Sequence, residues 1–309
     1  MTIKGVIRTG LIQLRVLDME KSIRHYVDII GLEYVGKAED GRVFLKGYDE
    51  FDHHCVALRE TDTAGMDFIA MKVESDEYLK EITEKTIAFG LTVEHIEANS
   101  DQPGFGRRVA VTLPMGHRLD LYAEVEMAED TPMTMNPDIW KQAPRGMAAL
   151  GIDHALLFGP NVDLTTKYFT EVLELSITEV LKNPENTGNM TVWLTANNKG
   201  HDLAILEYPE PGKLHHIGFK LEDWHAIGHA ADLISVNDVA LDAGPMRHGI
   251  TRGQTIYFFD PSGNRNETFA GGYAHYPDHP VREWDFAHVG KGIFYYTREL
   301  NERFINVVS

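Results

Sequence analysis

Two short apolar stretches carry histidine where a strand would run, IDHALLF from Ile152 and LHHIGFKL from Leu214, and a third, NRNETFAG, carries Glu267 just after the turn signal DPSGN. Neighbouring side chains on a strand point to opposite faces, so His215 and His216 serve different surfaces. Ile217, Phe219 and Leu221 share the face of His215, whereas Gly218 and Lys220 share that of His216. The apolar face belongs against a helix. His216 is therefore expected in the cavity, with His215 as a packed or hydrogen-bonded partner. Laying IDHALLF over LHHIGFK sets His154 on His216, so two equivalent strands each present one histidine. Glu267 lies on a last strand expected to run beside them. Two imidazoles and one carboxylate form the set that holds ferrous iron on one side and leaves adjacent positions open to substrate and oxygen. His201 in NKGHDLAIL, His248 in GPMRHGIT and Tyr257 in QTIYFF are of the type that moves protons and hydrogen-bonds an oxygen-bearing ligand.

The elements that must hold these residues follow from a repeat. GLIQLRVLDMEKSIRHYVDIIGLEY from Gly10 resembles GIDHALLFGPNVDLTTKYFTEVLEL from Gly151, with two extra residues in the second copy. MDFIAMKV from Met66 matches LHHIGFKL, and GRRVAVTLPMGHRLDLYAE from Gly106 matches GQTIYFFDPSGNRNETFAG from Gly253. The chain reads as a first domain over 1–126, a linker over 127–147 rich in Pro and Met, a second domain over 148–272 and a C-terminal extension over 273–309. Each domain holds two smaller units that open with a strand, continue with an amphipathic helix and close with short strands. Asp18 suits an N-cap, Ile23, Val27 and Ile30 recur at helical spacing, and Gly31 suits the residue after a helix. Helices are likewise expected over 76–89 and 222–234, the latter with Trp224, Ile227, Ala231 and Ile234 as its buried stripe. The fold class is α+β: curved, mostly antiparallel sheets with helices packed outside. In the first domain the alignment sets Gln13, Phe68 and Asp120 on His154, His216 and Glu267, and phenylalanine cannot bind a metal. Only the second domain is expected to be loaded.

Composition narrows the partners. A formal net charge of −18 over 309 residues argues against nucleic acid and anionic membrane. The single cysteine, Cys55, sits in the apolar run CVAL and reads as a buried thiol. No leader-like apolar segment and no run long enough to span a membrane is visible, so a cytoplasmic protein is expected. His225 and His229 read as a solvated helix face. His53 and His54 lie near the position matching His201 but have no ligands around them, DPSGN reads as a turn, and His275 and His279 belong to an extension suited to packing or a lid.

HALLFG, GKLHHIGFKLEDW, AADLIS, DAGPMRHGITRGQTIYFFDPSGNRNETFAGG, YPDH and LNERF resemble the type I extradiol dioxygenases of the vicinal oxygen chelate superfamily, nearly end to end from GLIQLRVLDM. The resemblance implies paired βαβββ modules forming a curved, incompletely closed barrel in each of two similar domains. It implies one Fe(II) per subunit on His154, His216 and Glu267, with His201, His248 and Tyr257 as acid/base and hydrogen-bonding residues. It also implies a homotetramer that uses O2 to cleave the ring of a catechol beside its hydroxyls, giving 2-hydroxymuconate semialdehyde. Two rivals share the fold. A glyoxalase-like isomerase with Zn or Ni would want a fourth ligand on HDLAILEY, where Ala204 stands near the matching position; a metal-free binding protein would give the triad no purpose.

Overall fold

The computed structural model describes residues 5–309. In the first domain β1 (Val6–Val16) leads through α1 (Met19–Ile23) to β2 (Glu33–Lys37), β3 (Val43–Lys46) and β4 (Val56–Glu60). β5 (Gly65–Val73) then leads through α2 (Asp76–Phe89) to β6 (Val93–Ile96), β7 (Arg108–Thr112) and β8 (Arg118–Tyr122). The second domain repeats this with β9 (Gly151–Gly159), α3 (Val162–Glu171), β10 (Ser176–Lys182), β11 (Asn189–Thr195) and β12 (Leu203–Glu207). Its other module is β13 (Lys213–Lys220), α4 (Trp224–Val236), β14 (Leu241–Arg247), β15 (Gly253–Phe259) and β16 (Arg265–Gly271). Beyond these lie β17 (Arg282–Trp284), α5 (Val289–Ile293) and α6 (Glu302–Asn306).

Each domain is one open, curved sheet. The orders are β2-β3-β4-β1-β5-β8-β7-β6 and β14-β15-β16-β13-β9-β12-β11-β10-β17. Modules therefore meet through their first strands, β1 on β5 and β9 on β13, both antiparallel. Each first strand also pairs in parallel with the last strand of its own module: β1 with β4, β5 with β8, β9 with β12 and β13 with β16. This order places the two histidine strands and the Glu267 strand side by side at the centre of the second sheet.

Local chemistry explains the helices and two departures from expectation. Asp18 caps α1 through the Lys21 amide, and Ser75 caps α2 through the Tyr78 amide. After α1 the backbone widens into a π-helical segment, Arg24–Ile29, instead of continuing as α-helix. The widened segment carries His25 and Tyr26 onto the second domain, where His25 Nε2 lies 2.8 Å from Asn266 Oδ1 and Tyr26 donates to Asp260 at 3.0 Å. Gly31 follows with φ +92°, and an added Cβ would stand 2.1 Å from the Arg145 carbonyl. In α4 the cap is Asp223, and Ile227, Ala230 and Ile234 are buried. Trp224, expected in that stripe, is instead 39% exposed, because it is the first helical residue and lies ahead of the turns that pack on the sheet.

Strand pairing also corrects the residue matched to His154. Ile12 pairs with Val56 and Ile69, and Ala155 pairs with Leu203 and Ile217, so the equivalent of His154 is Leu11 rather than Gln13. Phe68 and Asp120 keep their places: Ala70 faces Asp120 as Gly218 faces Glu267. Around the first-domain counterpart, Leu11, Phe68, Phe105 and Tyr122 pack as a small apolar cluster.

Candidate metal centre

His154 and His216 stand on antiparallel neighbours, β9 and β13, and Glu267 on β16, parallel to β13. Period-two alternation turns all three to one face, and Gly218 between them leaves the room: a Cβ there would fall 2.6 Å from the His154 ring. His154 Nε2 lies 2.8 Å from Glu267 Oε2 and 3.2 Å from His216 Nε2, and His216 Nε2 lies 3.0 Å from Glu267 Oε2. All three side chains are buried.

The outward atom of each is held by a different neighbour. His154 Nδ1 donates to Asp153 Oδ2 at 2.8 Å, Glu267 Oε1 accepts from Thr255 Oγ1 at 2.5 Å, and His216 Nδ1 lies 2.7 Å from His215 Nδ1. These anchors aim two imidazole nitrogens and one carboxylate oxygen at a common point. Outer partners of this kind are what orient metal-binding histidines. The donor set fits a divalent first-row ion with open positions.

The electrostatics follow from close packing. Burial resists charge on His154, but Glu267 and Asp153 outweigh it and raise its pKa to about 9. Burial lowers His216 to about 4 against the pull of Glu267. Glu267 is held well below the usual carboxylate range, because His154 and His216 overcome the burial that would raise it.

The other expected residues arrive at the same cavity. The His201 ring lies 4.0 Å from that of His154, and burial, with His154 next, holds its pKa well down, so it is neutral. His248 donates from Nδ1 to the Ile293 carbonyl at 2.5 Å, which leaves Nε2 to accept the Tyr257 hydroxyl proton at 2.8 Å. Burial and then Glu267 raise the Tyr257 phenol well above its ordinary value. Leu156, Trp193, Ala204, Ile250 and Phe269 complete the wall with Ile293 and Phe304 of the extension.

Sequence reasoning missed the anchors Asp153 and Thr255. Asp153 adjoins His154 and so was visible in outline, and Thr255 reaches Glu267 diagonally across the β15–β16 pair. The apolar walls and Phe304 carried no local signal. Elsewhere, His54 is buried against Gln102 at 2.9 Å and His225 is exposed. His275 and His279 pack on each other with ring centroids 5.8 Å apart and do not line the cavity. DPSGN is a turn in which Asp260 Oδ1 accepts the Ser262 and Asn264 amides.

Comparison with known proteins agrees in both halves. Residues 66–126 match the catechol 2,3-dioxygenase-like N-terminal domain, and residues 151–268 match the glyoxalase/bleomycin resistance protein/dioxygenase superfamily. The chain is 44% identical over 307 residues to metapyrocatechase of Pseudomonas sp. strain CF600, covering 99% of both proteins. It is 28% identical to a manganese-dependent 2,3-dihydroxybiphenyl 1,2-dioxygenase of Geobacillus genomosp. 3, over 96% of this chain and 95% of that protein. The crystal structure of the 2,3-dioxygenase LapB from Pseudomonas sp. KL28 superimposes with a TM-score of 0.90 at 44% identity, covering 92% of this chain and 99% of that one. With its paired modules and its buried two-histidine, one-carboxylate cluster, the chain belongs to the metapyrocatechase family of extradiol ring-cleaving dioxygenases.

Proposed function

We propose that this extradiol dioxygenase holds one Fe(II) on His154, His216 and Glu267 and converts catechol and O2 to 2-hydroxymuconate semialdehyde. The observation that carries the reading is the convergence of three donor atoms within 3.2 Å of one another, each fixed from behind by its own hydrogen bond. When bound, the ion supplies Lewis acidity and an electron path between the diol and oxygen. Tyr257 presents a protonated phenol that donates its hydrogen bond to His248 Nε2 and can turn toward a substrate oxygen. His248, tied to the Ile293 carbonyl, positions that phenol. His201, neutral and beside His154, is placed to accept a proton from the diol and return it to the ring-opened product. Trp193, Ile250 and Phe269 exclude water and stack against an aromatic ring. The cavity is small, about 50 Å³, and Ile293 and Phe304 of the extension form part of its wall.

On this reading residues 1–126 form a metal-free domain, 127–147 a linker, 148–272 the catalytic domain and 273–309 an extension that packs at the site, in a cytoplasmic homotetramer. Met135, Ile139 and Trp140 of the linker are exposed in one stretch, which supports association between subunits. Two features of the wall favour ring cleavage over a glyoxalase-like isomerase. Ala204 stands where a fourth ligand would be needed, and the rest of that side is apolar.

The test is anaerobic purification, metal analysis and reconstitution with Fe(II), Mn(II) or Zn(II), followed by O2 uptake and product absorbance with catechol. About one iron per chain and oxygen consumption matched to ring opening are expected. Full activity with zinc, or no uptake with any catechol, overturns the reading; activity with manganese alone overturns the iron assignment. Light scattering in solution tests the tetramer.

A further inference from the structure

His248 is a wall shared by two cavities. One side faces the metal centre, and the other faces a cavity of about 580 Å³ that opens to solvent. The two are chemically unlike. Apart from the metal-binding residues, His201, His248, Thr251 and Tyr257, the inner cavity is apolar and, among the described residues, has no lysine or arginine. The outer one is lined by Arg247, Arg252, Arg282 and Lys291, against only two carboxylates, Glu179 and Glu283.

Glu179 is not available to neutralise this surface fully. It is buried and occupied by the Thr251 amide, the Tyr273 hydroxyl and the Trp284 indole, each at 2.7 Å. The same contacts tie β10, the 251–252 turn and β17 into a rigid rim. The Arg282 guanidinium lies 3.4 Å from the centre of the Tyr273 ring, and Arg252 5.9 Å from it. Thr251 and Arg252 both adopt positive φ, +57° and +58°, a strained pair, and Arg252 lines the outer cavity. A local excess of cations in a chain of net charge −18 is a focused positive spot in a negative field.

We infer that this outer cavity is a carboxylate-binding vestibule, and that its occupant is the ring-opened product on its way out. The inference rests on the ring-cleavage reading. In that reaction the bond between a hydroxyl-bearing carbon and its ring neighbour breaks, both atoms of O2 enter the product, and one new terminus is a carboxylic acid that loses its proton to water. A neutral diol enters and an anion must leave an apolar cavity. Burial of an unpaired carboxylate there is costly, and the cations beyond His248 offset that cost. A carboxylate on the side arm of a substituted catechol would present the same chemistry to the vestibule.

The test uses the metal-loaded protein with sorbate, a six-carbon dienoate of the product's shape, and sorbyl alcohol, the same skeleton without charge. Calorimetric titration compares the wild type with Arg252→Gln, Lys291→Gln and the double variant. Sorbate binding is expected to weaken about two- to fivefold for each charge removed, with sorbyl alcohol unchanged. Weaker inhibition by the reaction product in the variants assigns the product as the source. A larger fall in kcat/KM for 3,4-dihydroxyphenylacetate than for catechol assigns the site to a carboxylate-bearing substrate. No sorbate binding, binding unchanged in the variants, or equal loss for both probes overturns the vestibule. Because sorbate binding needs no turnover, these outcomes are separate from a failure of ring cleavage, which shows as absent O2 uptake.

Discussion

The Nδ1 atoms of His215 and His216 lie 2.7 Å apart, and His215 Nε2 lies 2.7 Å from the Phe304 carbonyl. The carbonyl can only accept, so His215 carries its proton on Nε2 and its Nδ1 is an acceptor. His216 must then donate from Nδ1, which leaves its Nε2 lone pair free for a metal. The tautomer of a candidate ligand is thereby set from α6, which carries Phe304. Burial, with Arg265 next, holds the pKa of His215 well down and keeps it in this neutral form.

The first prediction follows from that chain. His215→Ala removes the acceptor behind His216 and should weaken metal binding about 10- to 100-fold, the usual scale for such outer partners. His216→Ala should abolish it. Metal per chain, titrated against a chelator, distinguishes the two, with circular dichroism showing that each variant is folded. Loss in the His215 variant with retention in the His216 variant would mean that the ligand assignment is exchanged.

This relationship also shows what was legible beforehand. The alternation of LHHIGFKL has a period of two, so the face of each histidine could be read from the residues beside it. The partners of His215 could not. The Phe304 carbonyl lies 89 residues away, and Phe158, stacked 4.6 Å from its ring, is on another strand. The repeat was visible because its modules keep their apolar patterns, but where the two extra residues fall was not. Only hydrogen-bond register sets Leu11 rather than Gln13 opposite the position of His154. Trp224 was misplaced for a related reason: periodicity gives a helix its face but not the residue at which packing begins.

Gly218 gives a second prediction. It pairs with His154 across β9 and β13, and an added Cβ would meet three atoms of that ring between 2.6 and 2.9 Å. The glycine lies within the strand, where alanine is otherwise accepted, so the nearest conflict is with the His154 ring, a candidate ligand. Gly218→Ala should therefore displace the imidazole and lower metal occupancy and turnover at least tenfold, with little change in secondary structure. Unchanged metal affinity in this variant would show that the ring can shift without cost.

Acid sensitivity supplies the third. His117 is buried, its Nε2 lies 2.9 Å from the Lys213 carbonyl of the second domain, and burial lowers its pKa from 6.5 to about 4. Between those values the unfolded chain binds a proton that the folded chain refuses, so stability rises with pH there. The full benefit is present above about pH 6.5 and is lost as pH falls toward 4, an effect on the order of 3 kcal/mol. His54, lowered to about 3 by burial, adds in the same direction. His117→Asn should flatten the fall in urea stability between pH 7 and 5. A slope as steep as the wild type's would remove His117 as a source of acid sensitivity.

The fourth compares two residues at one position of the repeat. Asp120 and Glu267 hold the same place in register, but Asp120 takes the Arg118 guanidinium at 2.7 and 3.0 Å, and Arg118 also lies over the Phe68 ring. The first domain thus answers its buried carboxylate with guanidinium groups, Arg118 in contact and Arg108 at 3.7 Å, where the second has two imidazoles. Asp120→Asn should leave a partly buried cation without its partner and cost about 3 kcal/mol, the lower end for a broken buried pair because Arg118 is 35% exposed. Metal per chain should not change. Glu267→Gln should do the opposite: metal retention collapses, because an uncharged amide oxygen is a poor third ligand, while the metal-free protein remains folded. Denaturant titration and metal analysis on both variants decide it. Metal loss in the Asp120 variant, or retention in the Glu267 variant, would show that the two carboxylates do not have these separate roles.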